Sequence, residues 1–201
     1  AWNMVNYPRA AWTTLIITVF ATVLTLLSNT FVAYAIARNM DRPFFKFLYY
    51  FFVAAMFVPF TVIMLPLARQ MGMLHLDNQL GLIILYTVLG LGTNLFIGIG
   101  FIRSIPISLE EAARMDGAST WRVFWTIIFP LMGPINATTA IMTVLWVWND
   151  FMLPLIILTN QQDSTIQLSQ YVFSSQFATN YPVAFASYLM AMAPVLIVYI
   201  F

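Results

Sequence analysis

Charge is scarce in this 201-residue chain: Asp, Glu, Lys and Arg together make up 7% of it, where an ordinary soluble domain carries about 25%. Cysteine is absent and histidine occurs once, as His75. The missing cysteines exclude a disulfide framework and a thiolate metal site, and they leave the redox compartment open. A single histidine excludes a multi-histidine metal centre. There is no G-x-x-x-x-G-K-[ST] run to cradle a nucleotide, no H-E-x-x-H and no Ser–His–Asp pattern. The eight basic residues never form a run and the net charge is +1, which points away from nucleic acid. No catalytic residue, metal or bound cofactor is therefore predicted for this chain.

What the chain has instead is apolar surface. It is 62% hydrophobic, with a mean hydropathy of +0.87, and a chain of that kind needs lipid as its solvent. A helix crosses roughly 30 Å of hydrocarbon with about 20 apolar residues. Five segments meet that length: 11–37, 47–68 (interrupted by Pro59 and Pro66), 79–102 (with five glycines), 131–158 and 182–201. The fold class read from this pattern is an all-α polytopic membrane protein with one transmembrane domain over 1–201. Of the basic residues, Arg38, Arg42, Lys46, Arg103, Arg114 and Arg122 flank one side of these spans, and Arg9 and Arg69 the other. The excess of basic residues marks the cytoplasmic side. The first visible residues then lie outside without a signal peptide, so an earlier span is expected before Ala1; at the other end Phe201 stands inside an apolar run, so further chain is expected there too.

The stretch 107–130, ISLEEAARMDGASTWRVFWTIIFP, gathers charge that the rest of the chain avoids. Ser108 and Glu111 have capping-box spacing, and Glu110 and Glu111 in the first turn suit the helix dipole. Gly117 supplies a left-handed stop. Ala118-Ser119-Thr120 offers a fresh N-cap, and a second short helix is predicted from Trp121 to Phe129, closed by Pro130. A helix–turn–helix on the cytoplasmic side results. The small residues Ala112 and Ala113 between charges fit a helix that seats in a partner's groove, its carboxylates meeting partner Arg or Lys.

Glu111-Ala112-Ala113, three residues, Gly117, nine residues, Ile127, one residue and Phe129-Pro130 resemble the E-A-A-x3-G-x9-I-x-L-P signature of bacterial ABC importer permeases, with Phe129 in place of Leu. The resemblance extends over nearly the whole chain. Asn29-Thr-Phe-Val-Ala-Tyr-Ala-Ile-Ala-Arg38, Val58-Pro59, Leu65-Pro66-Leu67, Ile105-Pro106 and Trp148-Asn149-Asp150-Phe151 look like the carbohydrate-uptake, maltose-permease branch, a type I importer. That resemblance implies six spans in the full chain, a bacterial plasma membrane location and a passive, non-catalytic subunit. Its implied partners are a second permease subunit, two ATPase subunits that hold ATP and Mg, an extracytoplasmic sugar-binding protein, and the bilayer. It makes 107–130 a coupling element that docks on the ATPase, with Glu111 and Gly117 foremost, followed by Glu110, Ala112, Ala113 and Asp116.

Sugars are bound by aromatic faces and read by amides and carboxylates. Trp146, Trp148, Asn149 and Asp150, with Asn94 in the third span, are accordingly candidates for the translocation path. An interfacial belt or a helix cap is the plainer reading of the first four. The polar connection 159–181 reads as a solvated loop; the resemblance implies instead a contact for the binding protein, for which Gln161, Gln162 and Asp163 are the candidates. The cargo implied is a sugar, by resemblance an oligosaccharide. A different solute (amino acid, phosphate or polyamine) is the alternative, and an ion-coupled transporter is disfavoured because its spans would bury charge.

Overall fold

The computed structural model describes residues 6–160, 163–176 and 181–200. Every regular element among them is helical. In chain order these are α1 (Tyr7–Arg38), α2 (Pro43–Ala55), α3 (Phe60–Met73), α4 (Gln79–Leu89), α5 (Leu91–Ser104), α6 (Ser108–Met115) and α7 (Thr120–Val123). A π-helical turn, Phe124–Ile128, leads into α8 (Phe129–Leu131), followed by α9 (Gly133–Asn149), α10 (Met152–Ile157), α11 (Ile166–Gln176) and α12 (Tyr181–Ile200). They form two compact units, 23–59 with 88–140, and the described residues of 1–22, 60–87 and 141–201.

The predicted spans are broken more often than hydropathy shows. Among the described residues only α1, with 32 residues, is by itself long and apolar enough to cross a membrane. The pairs α2 with α3, α4 with α5, and Thr120–Leu131 with α9 pass the same test only when each pair is joined. The breaks have local causes. Residues 56–59 leave the helix just ahead of Pro59, where the proline ring disfavours helical backbone at the preceding residue and removes an N–H donor. Pro66 stays inside α3. Gly90 separates α4 from α5, and the fourth predicted span ends early because Asp150 and Phe151 interrupt it between α9 and α10.

Helix α1 is apolar outside and polar inside. Trp12, Leu15, Val19, Phe20, Val23, Leu24, Leu27 and Phe31 are exposed, while Thr14, Thr18, Thr22, Thr25 and Asn29 are buried. The buried set recurs at intervals of four, four, three and four, which keeps it on one helix face. A water-soluble helix has the opposite arrangement, and exposed apolar stripes of this size mark a surface that water does not cover.

In the unit built from 23–59 and 88–140, the core joins Ala33, Tyr34, Ile36 and Ala37 of α1 to Leu95, Ile99 and Ile102 of α5 and to Val123, Phe124 and Ile128. The α5 residues again follow a helical i, i+4, i+7 stripe. Gly98 permits this contact: a Cβ there would lie 3.2 Å from the Ala33 Cβ, whereas one at Gly100 would meet nothing within 4 Å. In the other unit, Trp148 packs with Ala10, Ile166 and Ala191. The predicted polar loop is in part the helix α11. Thr165, Ile166, Leu168 and Gln170 are buried, the Ile166 amide donates to Thr14 Oγ1 at 2.9 Å, and Gln170 Nε2 donates to the Ser187 carbonyl at 2.7 Å. A helix whose buried residues include an amide side chain shows little hydrophobic periodicity, so composition hid it.

The two glycines should therefore respond in opposite ways. Gly98→Leu overpacks the α1–α5 contact and should cost about 1–3 kcal/mol. Gly100→Ala, on an open helical surface, should be neutral or stabilising by up to about 1 kcal/mol. Melting midpoints of the purified variants in one detergent test the contrast, and equal behaviour would refute the close-approach account.

Candidate functional site

The charge-rich stretch folds around three local devices. The predicted capping box is not formed. Ser108 lies inside α6, Ile107 precedes it with helical backbone, and no side chain caps the end. The turn that starts at Pro106 already engages the first amides, with Leu109 N–H donating to the Pro106 carbonyl at 3.3 Å and Glu110 N–H to that of Ile107 at 2.9 Å. At the other end, Gly117 adopts φ +83°. Gly117 N–H donates to the Arg114 carbonyl at 3.0 Å, and Ala118 N–H to that of Ala113 at 2.9 Å. Those two bonds make a Schellman stop, as the glycine predicted. Ser119 then caps α7, its Oγ accepting from Arg122 N–H at 3.3 Å.

The second helix does not end at Pro130. Phe129 N–H bonds to the Phe124 carbonyl, five residues back, so the backbone widens into a π turn before the proline. In a regular α-helix the Pro130 ring would press on the carbonyl of residue 126, and a π turn is one way to take up such a conflict. The helical path runs on through Leu131, then bends by 71° into α9.

The six residues predicted for this element face different ways. Glu111, Ala112, Asp116 and Gly117 are exposed and Ala113 is half-buried; Met115 is 89% exposed. Glu110 is 1% exposed. Its carboxylate accepts from Arg38 Nε on Oε1 at 2.6 Å and from Tyr34 Oη on Oε2 at 2.7 Å. Arg114 Nη2 stands 3.6 Å from Oε2, and Arg38 Nη2 also donates to the Ile105 carbonyl at 3.0 Å. The expectation that Glu110 meets a partner's cation is thus corrected: its partners are in its own chain. A carboxylate in an apolar core is tolerated only when paired and hydrogen-bonded, and this one is. Sequence reasoning missed Tyr34 and Arg38 as its partners, although their i, i+4 spacing at the end of a run uncharged from Ala10 to Ala37 was a usable signal.

Asn94 lies against a second polar feature of the same unit, a cavity of about 10 Å³ lined also by Asn29, Thr30, Asn136 and Thr139. Thr30 Oγ1 donates to Asn136 Oδ1 at 3.0 Å, and both polar atoms of the Asn29 amide are buried without a partner among the described residues.

The other four path candidates belong to the other unit and have separate fates. Asp150 accepts from Tyr86 Oη at 3.0 Å and from Met152 N–H at 3.0 Å, which places it at the start of α10. Trp146 meets the Tyr86 ring edge-on at 5.3 Å. Trp148 is 6% exposed and donates Nε1–H to the Ala191 carbonyl at 3.2 Å, so it offers no open ring face in this chain. Asn149 bonds back to the Leu145 carbonyl at 2.8 Å. Gln161 and Gln162 lie outside the described residues. Asp163 accepts from Gln79 Nε2 at 2.8 Å.

Residues 29–201 match the family model described as binding-protein-dependent transport system inner membrane component. The chain is 43% identical over 192 residues to the multiple sugar-binding transport system permease protein MsmG of Streptococcus mutans, covering 94% of this chain and 69% of that protein. It is 32% identical over 202 residues to the melibiose/raffinose/stachyose import permease protein MelC of Bacillus subtilis, covering 100% and 73%. Among solved structures, a bacterial ABC transporter involved in the import of the acidic polysaccharide alginate has a chain that superposes with a TM-score of 0.79 at 26% identity, over 95% of this chain and 72% of that one.

Gly117 gives this site a direct test. A β-carbon in the left-handed region costs roughly 1–2 kcal/mol, and Asn tolerates it better than other residues. Stability of the purified protein should fall in the order Gly, Gly117→Asn, Gly117→Ala, Gly117→Val. A Val variant as stable as the parent would contradict the Schellman stop.

Proposed function

The chain belongs to the family of binding-protein-dependent transport system inner membrane components, and from that membership we propose that it is the permease subunit of an ATP-driven importer of neutral oligosaccharides. It forms half of the translocation pathway, with a second permease subunit supplying the other half. Two ATPase subunits on the cytoplasmic side hold ATP and Mg, and an extracytoplasmic binding protein delivers the sugar. The observation that carries this reading is the outward face of α6. Glu111, Ala112 and Asp116 are exposed, Met115 is 89% exposed, and the helix is held from behind through Glu110. A short, stopped helix gripped on one face and free on the other is suited to seat in a groove of another protein. Glu111 is the carboxylate available to an ATPase Arg or Lys.

Two features support a neutral cargo. Near the cavity, recognition groups are amides and hydroxyls (Asn29, Asn94, Asn136, Thr139), and such groups read sugar hydroxyls without demanding charge. Relatives named for sugar uptake cover most of the chain. In this reading Asn94, Trp146 and Asp150 are the candidates for contact with the sugar, Trp148 and Asn149 are supporting residues, and Gln161, Gln162 and Asp163 are the candidates for contact with the binding protein.

Reconstitution of the chain with its second permease, ATPase and binding protein in proteoliposomes tests the reading. ATP hydrolysis should rise on adding oligosaccharide-loaded binding protein and stay flat with amino acids, phosphate or polyamines. Glu111→Ala should reduce co-purification of the ATPase by about tenfold, as loss of one charge-assisted contact does. An assembly that retains no ATPase, or one stimulated by a charged solute, would overturn it.

A further inference from the structure

Of the carboxylates in the coupling stretch, Glu110 alone is turned away from any partner protein. It is 1% exposed, yet three side chains converge on it: Tyr34 and Arg38 from the end of α1, and Arg114 from its own helix. Tyr34 and Arg38 are one turn apart, so both project from the same side of α1. Arg38 stands in the last turn of that helix, where the dipole favours a cation, and its second nitrogen reaches the Ile105 carbonyl at the end of α5. One guanidinium thereby ties α1, α5 and α6 together. Ala37, Ile102, Ile105 and Val123, all buried, belong with Tyr34 to the apolar core of this unit.

We propose that Tyr34, Arg38 and Glu110 are a positioning joint, which passes displacement of α6 to α1 instead of letting the flanking turns absorb it. This rests on the coupling role of α6 proposed above and deepens it. Glu110 acts through Arg38 and Tyr34 and does not touch the ATPase. The other links between α6 and the rest of the unit are less directional. On one side is the irregular Ile105–Ile107 connection, on the other the two-bond stop at Gly117, and the half-buried Ala113 adds an apolar contact with the core. An exposed ion pair would be loosened by solvent and side-chain entropy, whereas a buried, charge-assisted pair with further hydrogen bonds holds one geometry. Docking and transmission are thus carried by adjacent residues facing opposite ways, Glu111 outward and Glu110 inward.

The two roles separate in the reconstituted assembly by measuring ATPase retention and the ATP hydrolysed per sugar imported. Glu110→Gln should retain the ATPase within about twofold and raise the ATP used per sugar by about tenfold, while Glu111→Ala should chiefly lose the ATPase. Tyr34→Phe removes one hydrogen bond and no charge, and should raise the ratio about threefold; it carries the test if Glu110→Gln does not accumulate in the membrane. The chain has no cysteine, so Arg38→Cys combined with Glu110→Cys can be bridged by a short reducible bis-thiosulfonate. The reduced form should be uncoupled and the bridged form should recover transport, a reversal in one folded protein that a purely structural role would not produce. ATPase loss from Glu110→Gln in step with transport, an unchanged ratio in Tyr34→Phe, or a bridged pair that stays uncoupled would each overturn the joint. If the unsubstituted assembly retains no ATPase, the permease reading falls and takes the joint with it. A parent that couples normally while these variants do so too sinks only the joint.

Discussion

A single buried carboxylate organises the charged part of this protein. Placing Glu110 in an apolar core is costly unless donors converge on it, and that requirement brings the end of α1, the end of α5 and the start of α6 to one point. The exposure of the neighbouring residues follows from it. With Glu110 turned inward, helical geometry turns Glu111, Ala112 and Met115 away. Arg38, which a hydropathy plot treats only as the end of a span, becomes the connector between three helices.

A related constraint acts along the length of α1. In lipid the outer face of a helix gains nothing from polarity, so its threonines and Asn29 turn inward and its aromatic and aliphatic residues turn outward. The inner face then carries hydroxyls and amides that need partners. Thr14 finds the Ile166 amide and Thr30 finds Asn136. Asn29, whose amide has no partner among the described residues, lies beside a cavity that also borders Asn94 and adds a polar surface free of charge, in keeping with the proposed neutral, hydroxyl-rich cargo. The two polar features of this unit, one ionic and one neutral, divide between force transmission and solute handling in the proposed mechanism.

The parts of the sequence that read correctly were those governed by local chemistry. Gly117 stops α6 because a Schellman turn needs a left-handed residue, and Ser119 starts the next helix because its oxygen reaches an amide three residues on. The capping box failed although its spacing was right, since the turn began one step earlier and the Ile107 carbonyl took the Glu110 and Glu111 amides that Ser108 would have bonded. Pro130 failed as a stop because the π turn at Phe124–Ile128 absorbed its missing hydrogen bond. The predicted loop after α10 concealed α11, whose buried face includes the polar Gln170 and so left a weak hydrophobic pattern. Asn94 and Asp150, grouped by chemistry as path residues, belong to different units, and residue type carries no information about that.

By itself the sequence determined the solvent, the helical class and the family: a chain with 7% charge and long apolar runs must lie in lipid, and the spacing from Glu111 to Pro130 marks the permease signature. The stop at Gly117 and the start at Ser119 were also legible, because each depends on residues within one helical turn. Only the tertiary structure decided which of two adjacent glutamates is buried. Glu110 and Glu111 are chemically equivalent in the sequence, and what separates them is Arg38 and Tyr34, more than seventy positions away along the chain. Long-range pairing of that kind is set by how helices pack, and no local pattern records it.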